Sequence, residues 1–315
     1  MDRCFPPWQI CRNVDNQRVA EHALEISRQV IMRIHVLGTA AAKPVPRFFC
    51  NCRGCVAARA EGGRSLRTRS STSIYLGDDG PANVRYKVDF GPDAQDHTIR
   101  FGESINQLEH LLITHAHADH LHPYWLSLRR QAISSVDDMP MLHVWGNWRV
   151  WEVCEQAGID LEANRITKHC IEPDAPFRAG ALEVFPLAAM HPDTDPALNF
   201  VITAEGTTVL TAWDTGFWPE PTWASARVNG LTFDAVIMEL TVNGPDGPTQ
   251  GQYHHNPDSF LEMKQRMLDE GLLADGARFF TTHMGDNGQL SHSEAQEYWA
   301  PHGVSVGYDG LLIEL

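Results

Sequence analysis

Apolar residues along this chain gather in short runs, not long ones. From Met32 onward, β-branched and aliphatic runs bounded by Gly, Pro, Asp or Asn recur and predict strands. They lie at 32–37, 72–76, 84–89, 110–114, 141–145, 182–187, 198–203, 207–212, 234–239, 277–282 and 311–314. Between them, apolar positions recurring at helical spacing predict helices over 119–131, 147–157, 257–270 and 293–300. In the third, Asn256 or Asp258 supplies the N-cap, and Phe260, Leu261, Met263, Met267 and Leu268 form the stripe. Gly271 stops it. Many strands with few, spaced helices predict a layered α/β protein. The Gly/Pro-rich stretch 243–251 is a loop inside the fold, too short and central for a linker. Residues 1–31 read as a peripheral extension, with an amphipathic helix at 17–30, and 32–315 as one domain.

Composition narrows the function classes. The 315 residues are 43% hydrophobic and 21% charged, a globular balance, with a net charge of −15. So acidic a surface repels phosphate backbones, which disfavours a nucleic-acid partner. A small anionic substrate needs cations within its own site. No apolar run is long enough for a membrane span, and the first residues lack the apolar core of a secretory signal. Seven Cys, an odd number in a chain of this size, suggest reduced thiols and a cytoplasmic protein. A homodimer is compatible with all of this. The 16 His point toward metal binding, which their spacing must decide.

The spacing does so at His115-Ala-His117-Ala-Asp119-His120, which follows the apolar run HLLIT. Loops at carboxyl strand ends are where α/β proteins place chemistry. Four imidazole or carboxylate donors in six residues suit a divalent ion such as Zn²⁺, Mn²⁺ or Fe²⁺. His191, Asp214 and His283 each lie just beyond another predicted strand. Together they make a two-metal site, with Asp214 the candidate bridge because a carboxylate has two oxygens. Asp119 and Asp214 are the residues expected to be catalytic. A second cluster, Cys50-Asn51-Cys52-Arg53-Gly54-Cys55, gathers three thiols as a structural zinc site requires. A fourth ligand is needed, and His255, in the His254-His255 pair before the third helix, is preferred. Arg64, Arg67 and Arg69 either bind a substrate phosphate or form a solvated basic loop.

These residues resemble the metallo-β-lactamase-fold hydrolases, whose HxHxDH is followed by a His, an Asp and a His. The resemblance spans roughly residues 32–315. It implies an αβ/βα four-layer sandwich. By that likeness His115, His117 and His191 hold one ion, Asp119, His120 and His283 the other, and Asp214 bridges them. Asp89 in Asp89-Phe90-Gly91 matches an orienting residue behind the ligands. Pro123 replaces a frequent Gly after the motif, a local departure. The stretch GTAAAKPVPRFFCNCRGC and the ending Val306-Gly307-Tyr308-Asp309-Gly310 look like the phosphoribosyl cyclic-phosphate phosphodiesterases of phosphonate breakdown. The accessory proteins of pyrroloquinoline quinone synthesis share the Cys loop and the element at Arg67–Ser71. Typical members lack an intact HxHxDH, which favours the hydrolase here. The phosphodiesterases' Ser-His stands here as Thr241-Val242, which leaves the catalytic acid to His254 or another residue. The expected function is hydrolysis of a small cyclic phosphodiester with two divalent metal ions and one structural zinc. The rivals are a lactone or thioester hydrolase on the same site and a metal-binding carrier in coenzyme synthesis.

Overall fold

Strand β1 (Met32–Gly38) is buried along nearly its whole length, as in a sheet covered on both faces. The computed structural model describes residues 32–130, 133, 135, 138–245, 252–285 and 290–315. The expected extension at 1–31, and part of the loop at 243–251, lie outside the described residues. The first sheet also contains β2 (Ser71–Leu76), β3 (Tyr86–Val88), β4 (His110–Leu112), β5 (Leu142–Gly146) and β6 (Ile166–Cys170). Its outer strand is β14 (Leu311–Glu314), and the order is β14-β1-β2-β3-β4-β5-β6. The second sheet contains β7 (Phe177–Ala179), β8 (Leu182–Ala188), β9 (Leu198–Ala204) and β10 (Thr207–Ala212). It continues through β11 (Phe233–Glu239), β12 (Leu273–Thr282) and β13 (Val304–Val306), in the order β13-β12-β11-β10-β9-β8-β7. Each sheet is antiparallel at one side and parallel at the other: β3 to β6 in the first, β10 to β13 in the second.

The sheets pack face to face. Ile34, Val36 and Val88 of one meet Val184, Phe200 and Ile202 of the other in one buried cluster. Each fully buried aliphatic or aromatic side chain contributes about 1.5–3 kcal/mol. Helices α1 (Arg53–Glu61), α2 (Ala94–Phe101), α3 (Pro123–Ser127), α4 (Trp148–Gln156), α5 (Glu220–Val228), α6 (Pro257–Asp269) and α7 (His292–Trp299) complete the fold. Ala94, Leu126, Val150 and Trp151 cover the outer face of the first sheet. Trp223, Phe260, Met263 and Trp299 cover the second. The result is the expected αβ/βα four-layer sandwich.

Local departures have local reasons. The helix expected at 119–131 contracts to α3, because Pro123 sits in its first turn and the preceding residues form the His loop. Helices α1 and α5 lack a clear apolar stripe, α2 spans only eight residues, and β6, β7 and β13 are short with polar residues, so periodicity passed over all six. Asn256, not Asp258, caps α6: its side chain accepts from Ser259 N at 2.9 Å in a capping box.

Two contacts fix the loops that approach the site. A Cβ on Gly91 would lie 2.0 Å from the Asp119 carbonyl oxygen, so only glycine lets the His loop pack there. Thr39, just beyond β1, donates from its N–H and hydroxyl to Asp309 at 3.0 and 2.8 Å. Thr68 does the same at 2.7 Å for each. Met284 N then donates to Thr39 O at 2.7 Å, tying this corner to the residue after His283.

On the buried face of α2, His97 has its Nε2 2.7 Å from Thr68 Oγ1. Burial and the nearby Lys87 push its imidazole down to about 3. An unfolded His titrates near 6.5, so between about pH 6.5 and pH 3 the unfolded chain binds a proton that folded His97 refuses. Stability is therefore lost as pH falls through this window, by up to about 1.4 kcal/mol per pH unit from this residue. Denaturant midpoints from pH 6.5 to 4 should fall less steeply for His97→Gln than for the parent protein. Parallel slopes would remove His97 as a source of acid lability.

Candidate metal centre

The carboxyl ends of strands from both sheets converge on one edge of the sandwich. His115, His117, Asp119 and His120 follow β4, His191 follows β8, Asp214 follows β10 and His283 follows β12. Asp214 and His283 hold positive φ values of 44° and 49°, and Asp89 after β3 holds 60°. Non-glycine residues rarely adopt this conformation, and it turns their side chains sharply off the strand direction.

The seven side chains expected as ligands come together. One ligand atom from each of His115, His117, His191 and Asp214 forms a group within 4.8 Å, as do atoms of Asp119, His120, Asp214 and His283. Asp214 belongs to both groups. Its Oδ2 lies 3.1, 2.8 and 3.3 Å from Nε2 of His115, His120 and His283. Yet Nε2 of His120 and of His283 makes no aligned hydrogen bond among the described residues, though both atoms are buried. Buried polar atoms are normally paired, so nitrogens that converge without pairing fit the ligand set of a cation.

The outer nitrogens are engaged, which fixes which nitrogen faces inward. His120 Nδ1 lies 2.5 Å from Asp89 Oδ2, and Asp89 accepts from Thr114 N at 2.8 Å. His115 Nδ1 lies 3.1 Å from Thr114 Oγ1, His283 Nδ1 3.2 Å from Thr241 Oγ1, and His191 Nδ1 2.5 Å from the Asp195 carbonyl. Each of these four imidazoles is left to present Nε2. His117 instead turns Nδ1 inward, 2.9 Å from His115 Nε2. Such outer partners set tautomer and ring orientation in metal sites. Asp89 thus stands behind His120, the position the resemblance implied.

Charge in the cluster is strongly coupled. Burial alone would favour a neutral Asp214, but His283, His115 and His120 hold it well below the usual carboxylate range. The carboxylates in turn raise His283 to about 10, against the opposing effect of burial. Burial and His120 push His115 down to about 3. Two ionised carboxylates among five imidazoles are a donor set for divalent cations, which would displace the protons the cluster otherwise holds.

The cluster opens into a cavity of about 310 Å³ lined by Ala41, Ala42, Lys43, Thr241, His254 and Gly285 besides the ligand residues. His254 Nδ1 lies 3.0 Å from Glu239 Oε1 and 3.4 Å from Asp214 Oδ1. Burial disfavours its charge, but hydrogen bonding and attraction from Glu239 outweigh this and raise it. Glu239, fully buried at the end of β11, and Lys43 are functional candidates that motif reading missed. A carboxylate ending the apolar run FDAVIME was the available signal for the first.

The arginines read either as phosphate-binding or as a solvated basic loop do not line this cavity. Arg67 is buried and donates to Thr39 Oγ1 and Gly307 O, each at 2.7 Å. Arg69 grips Asp93 at 2.9 and 3.0 Å, and Arg64 lies 4.0 Å from the centre of the Tyr308 ring. All three hold loops together.

Cys50, Cys52 and Cys55 bring their sulfurs within 4.8 Å of one another ahead of and inside the first turn of α1. Cys52 N donates to Cys50 Sγ and Arg47 N to Cys55 Sγ, each at 3.4 Å. The Cys52 N–H is the main reason the Cys50 thiol falls to about 7. His255, the expected fourth ligand, does not join the group. Its N–H donates to Glu239 Oε1 at 3.1 Å and its Nδ1 lies 3.1 Å from Ser259 Oγ, while its buried Nε2 makes no hydrogen bond among the described residues.

A family model described as a beta-lactamase superfamily domain matches residues 85–284. No curated protein matches the chain. Among solved structures, a diphosphatase of the PhnP family is 18% identical, with TM-score 0.68 over 90% of this chain and 97% of that one. Zn²⁺-bound PqqB from Methylobacterium extorquens is 18% identical, with TM-score 0.66 over 90% of this chain and 100% of its own. The metallo-beta-lactamase fold protein YhfI from Bacillus subtilis is 17% identical, with TM-score 0.66 and the same coverage. At such identities the likeness shows a shared fold.

If the three cysteines hold a zinc, losing one should affect folding more than chemistry. Cys52→Ser should lower the Tm and remove about one zinc per chain, and His255→Asn should lower the zinc content too if its unpaired Nε2 is the fourth ligand. Unchanged zinc in Cys52→Ser would make the trio a set of reduced thiols.

Proposed function

Because the chain belongs to the beta-lactamase superfamily of metal-dependent hydrolases, we propose that it is a phosphodiesterase opening a small cyclic phosphodiester. A phosphoribosyl 1,2-cyclic phosphate or a 2′,3′-cyclic nucleotide is the substrate type. The observation that carries this reading is the convergence of seven donors on a cavity of about 310 Å³, a size for a small molecule. His115, His117 and His191 would hold one divalent ion, Asp119, His120 and His283 a second, with Asp214 between them. Held by those residues, two divalent cations would supply Lewis-acid chemistry that lowers the pKa of a water and offsets negative charge on a phosphoryl group.

The chain's own residues do the rest. Asp89 and Thr114 keep the His120 proton on Nδ1, and Thr241 orients His283. His254 has its Nδ1 tied to Glu239, so its Nε2 proton is available to the departing alkoxide. It occupies the role that Thr241-Val242 leaves open, reaching it from the loop before α6. Among the described residues the wall carries Lys43 as its one Lys or Arg, and the volume suits a small molecule.

The test is a panel of cyclic phosphodiesters, linear phosphodiesters, lactones and thioesters, assayed side by side with Mn²⁺ or Zn²⁺. Cyclic phosphodiesters should lead. Asp214→Ala should abolish turnover and lower the metal content. His254→Gln should lower kcat by about 10²–10⁴ on alkoxide leaving groups and far less on p-nitrophenolate, which needs no proton. Preference for a lactone or thioester would replace the substrate class. No turnover with metals bound would favour a carrier.

A further inference from the structure

The groups that hold the metal-facing imidazoles from behind differ in their access to water. Behind His120 the contact is enclosed: the side chains of His120 and Asp89 have no exposure at all. On the other half of the centre the contacts sit at the surface. The His117 side chain is 42% exposed and that of Asp195 25%. Asp195 serves two ligand residues at once. Its carbonyl accepts from His191 Nδ1 at 2.5 Å, and its Oδ2 lies 3.8 Å from His117 Nε2, the ring nitrogen that points away from the centre.

Helix α4 grips Asp195 in turn. Arg149 Nε donates to Asp195 Oδ1 at 3.2 Å. The Arg149 guanidinium is braced by Glu152, and its N–H donates to Asn147 Oδ1 at 3.0 Å. Asn147, the N-cap of α4, donates from its side-chain amide to the Pro196 carbonyl at 2.6 Å. The first turn of α4 therefore holds residues 195 and 196 from two directions, and through Asp195 it reaches both His117 and His191. Neither Arg149 nor Asp195 is among the described residues that line the cavity, so this clamp acts on the ligands and not on a substrate.

An ion pair that water reaches is screened and worth far less than an enclosed one. The hold on His117 and His191 is thus softer than the hold on His120. We propose that Asp195, anchored by Arg149, is the positioning residue that sets ion affinity at the His115, His117 and His191 half of the centre, and that this half is the exchangeable one, emptying first. This rests on the two-ion reading of the seven donors and not on any substrate. Across 3.8 Å the carboxylate favours the His117 tautomer with its proton on Nε2, which leaves Nδ1 as the ligand atom. Its ion pair with Arg149 fixes the backbone whose carbonyl orients His191.

The full chain loaded with Mn²⁺ and titrated with EDTA tests this without turnover. Electron paramagnetic resonance distinguishes a coupled pair of Mn²⁺ ions from a single one, and thiolates suit Mn²⁺ poorly, so the cysteine trio stays out of the count. The parent should lose its two ions in two steps. Asp195→Ala should weaken retention of the first ion released by about 10–100-fold and leave the second unchanged. Arg149→Met should weaken the same step, and combining it with Asp195→Ala should add little, because both act through one contact. Asp193→Ala, on the same loop, should move neither step, and Asp89→Asn should weaken retention of the second ion. A structural role for Asp195 would weaken both steps together. Loss of both steps in Asp195→Ala, of neither, or of the second alone overturns the proposal. Uptake of a single ion by the parent overturns it together with the two-ion reading. None of these outcomes depends on turnover, so failure of the phosphodiesterase assignment leaves them standing.

Discussion

One carboxylate oxygen, Asp214 Oδ2, lies within 3.3 Å of three imidazole nitrogens in a place almost closed to water. Ion pairing that dense and dry is expensive unless every other lone pair and proton around it is satisfied. The rest of the site follows from meeting that condition. Asp89, Thr114, Thr241 and the Asp195 carbonyl occupy the outer nitrogens, so only the inner ones remain open. Buried nitrogens that still lack a partner mark where a cation belongs.

The sheets exist in a form that makes this convergence possible. Parallel strands end together at one edge, and each sheet brings its parallel half to the same edge of the sandwich. Hydrophobic burial on both faces of each sheet fixes those ends rigidly. The unfavourable backbone angles at Asp89, Asp214 and His283 are tolerated because the packed strands before them leave no alternative path. Strain is concentrated where side chains must leave the strand direction.

This division explains what could be read from sequence. Apolar runs are long-lived signals, so most strands and the layered class were legible. The donors at 115–120, 191, 214 and 283 were visible because polar residues directly after apolar runs are conspicuous. Lone charges were harder. Arg67 reads as part of a basic surface loop, but it is buried against Thr39 and Gly307, residues remote in sequence. His254 and His255 are neighbours in sequence, but Glu239 takes the Nδ1 of the first and Ser259 that of the second, so the two rings face different surroundings. Lys43 carries no motif; only the cavity shows which way its stretch of chain faces. Partners outside a residue's own strand or helix, such as Gly307 for Arg67, leave no local periodicity to detect.

The bond from Thr39 to Asp309 joins positions 270 residues apart. Thr39 also receives Met284 N, and so braces the corner beside His283. During synthesis at about 5–20 residues per second, the corner beside His283 stays unbraced for tens of seconds after Thr39 emerges. Strand β1 waits equally long for β14 to cover its outer edge. Until then a nascent chain exposes an unpaired edge strand and an unassembled cluster of histidines and carboxylates. Metal loading on the ribosome would therefore come late, after Asp309 has been made, and a chaperone or folding partner has most to protect in that interval.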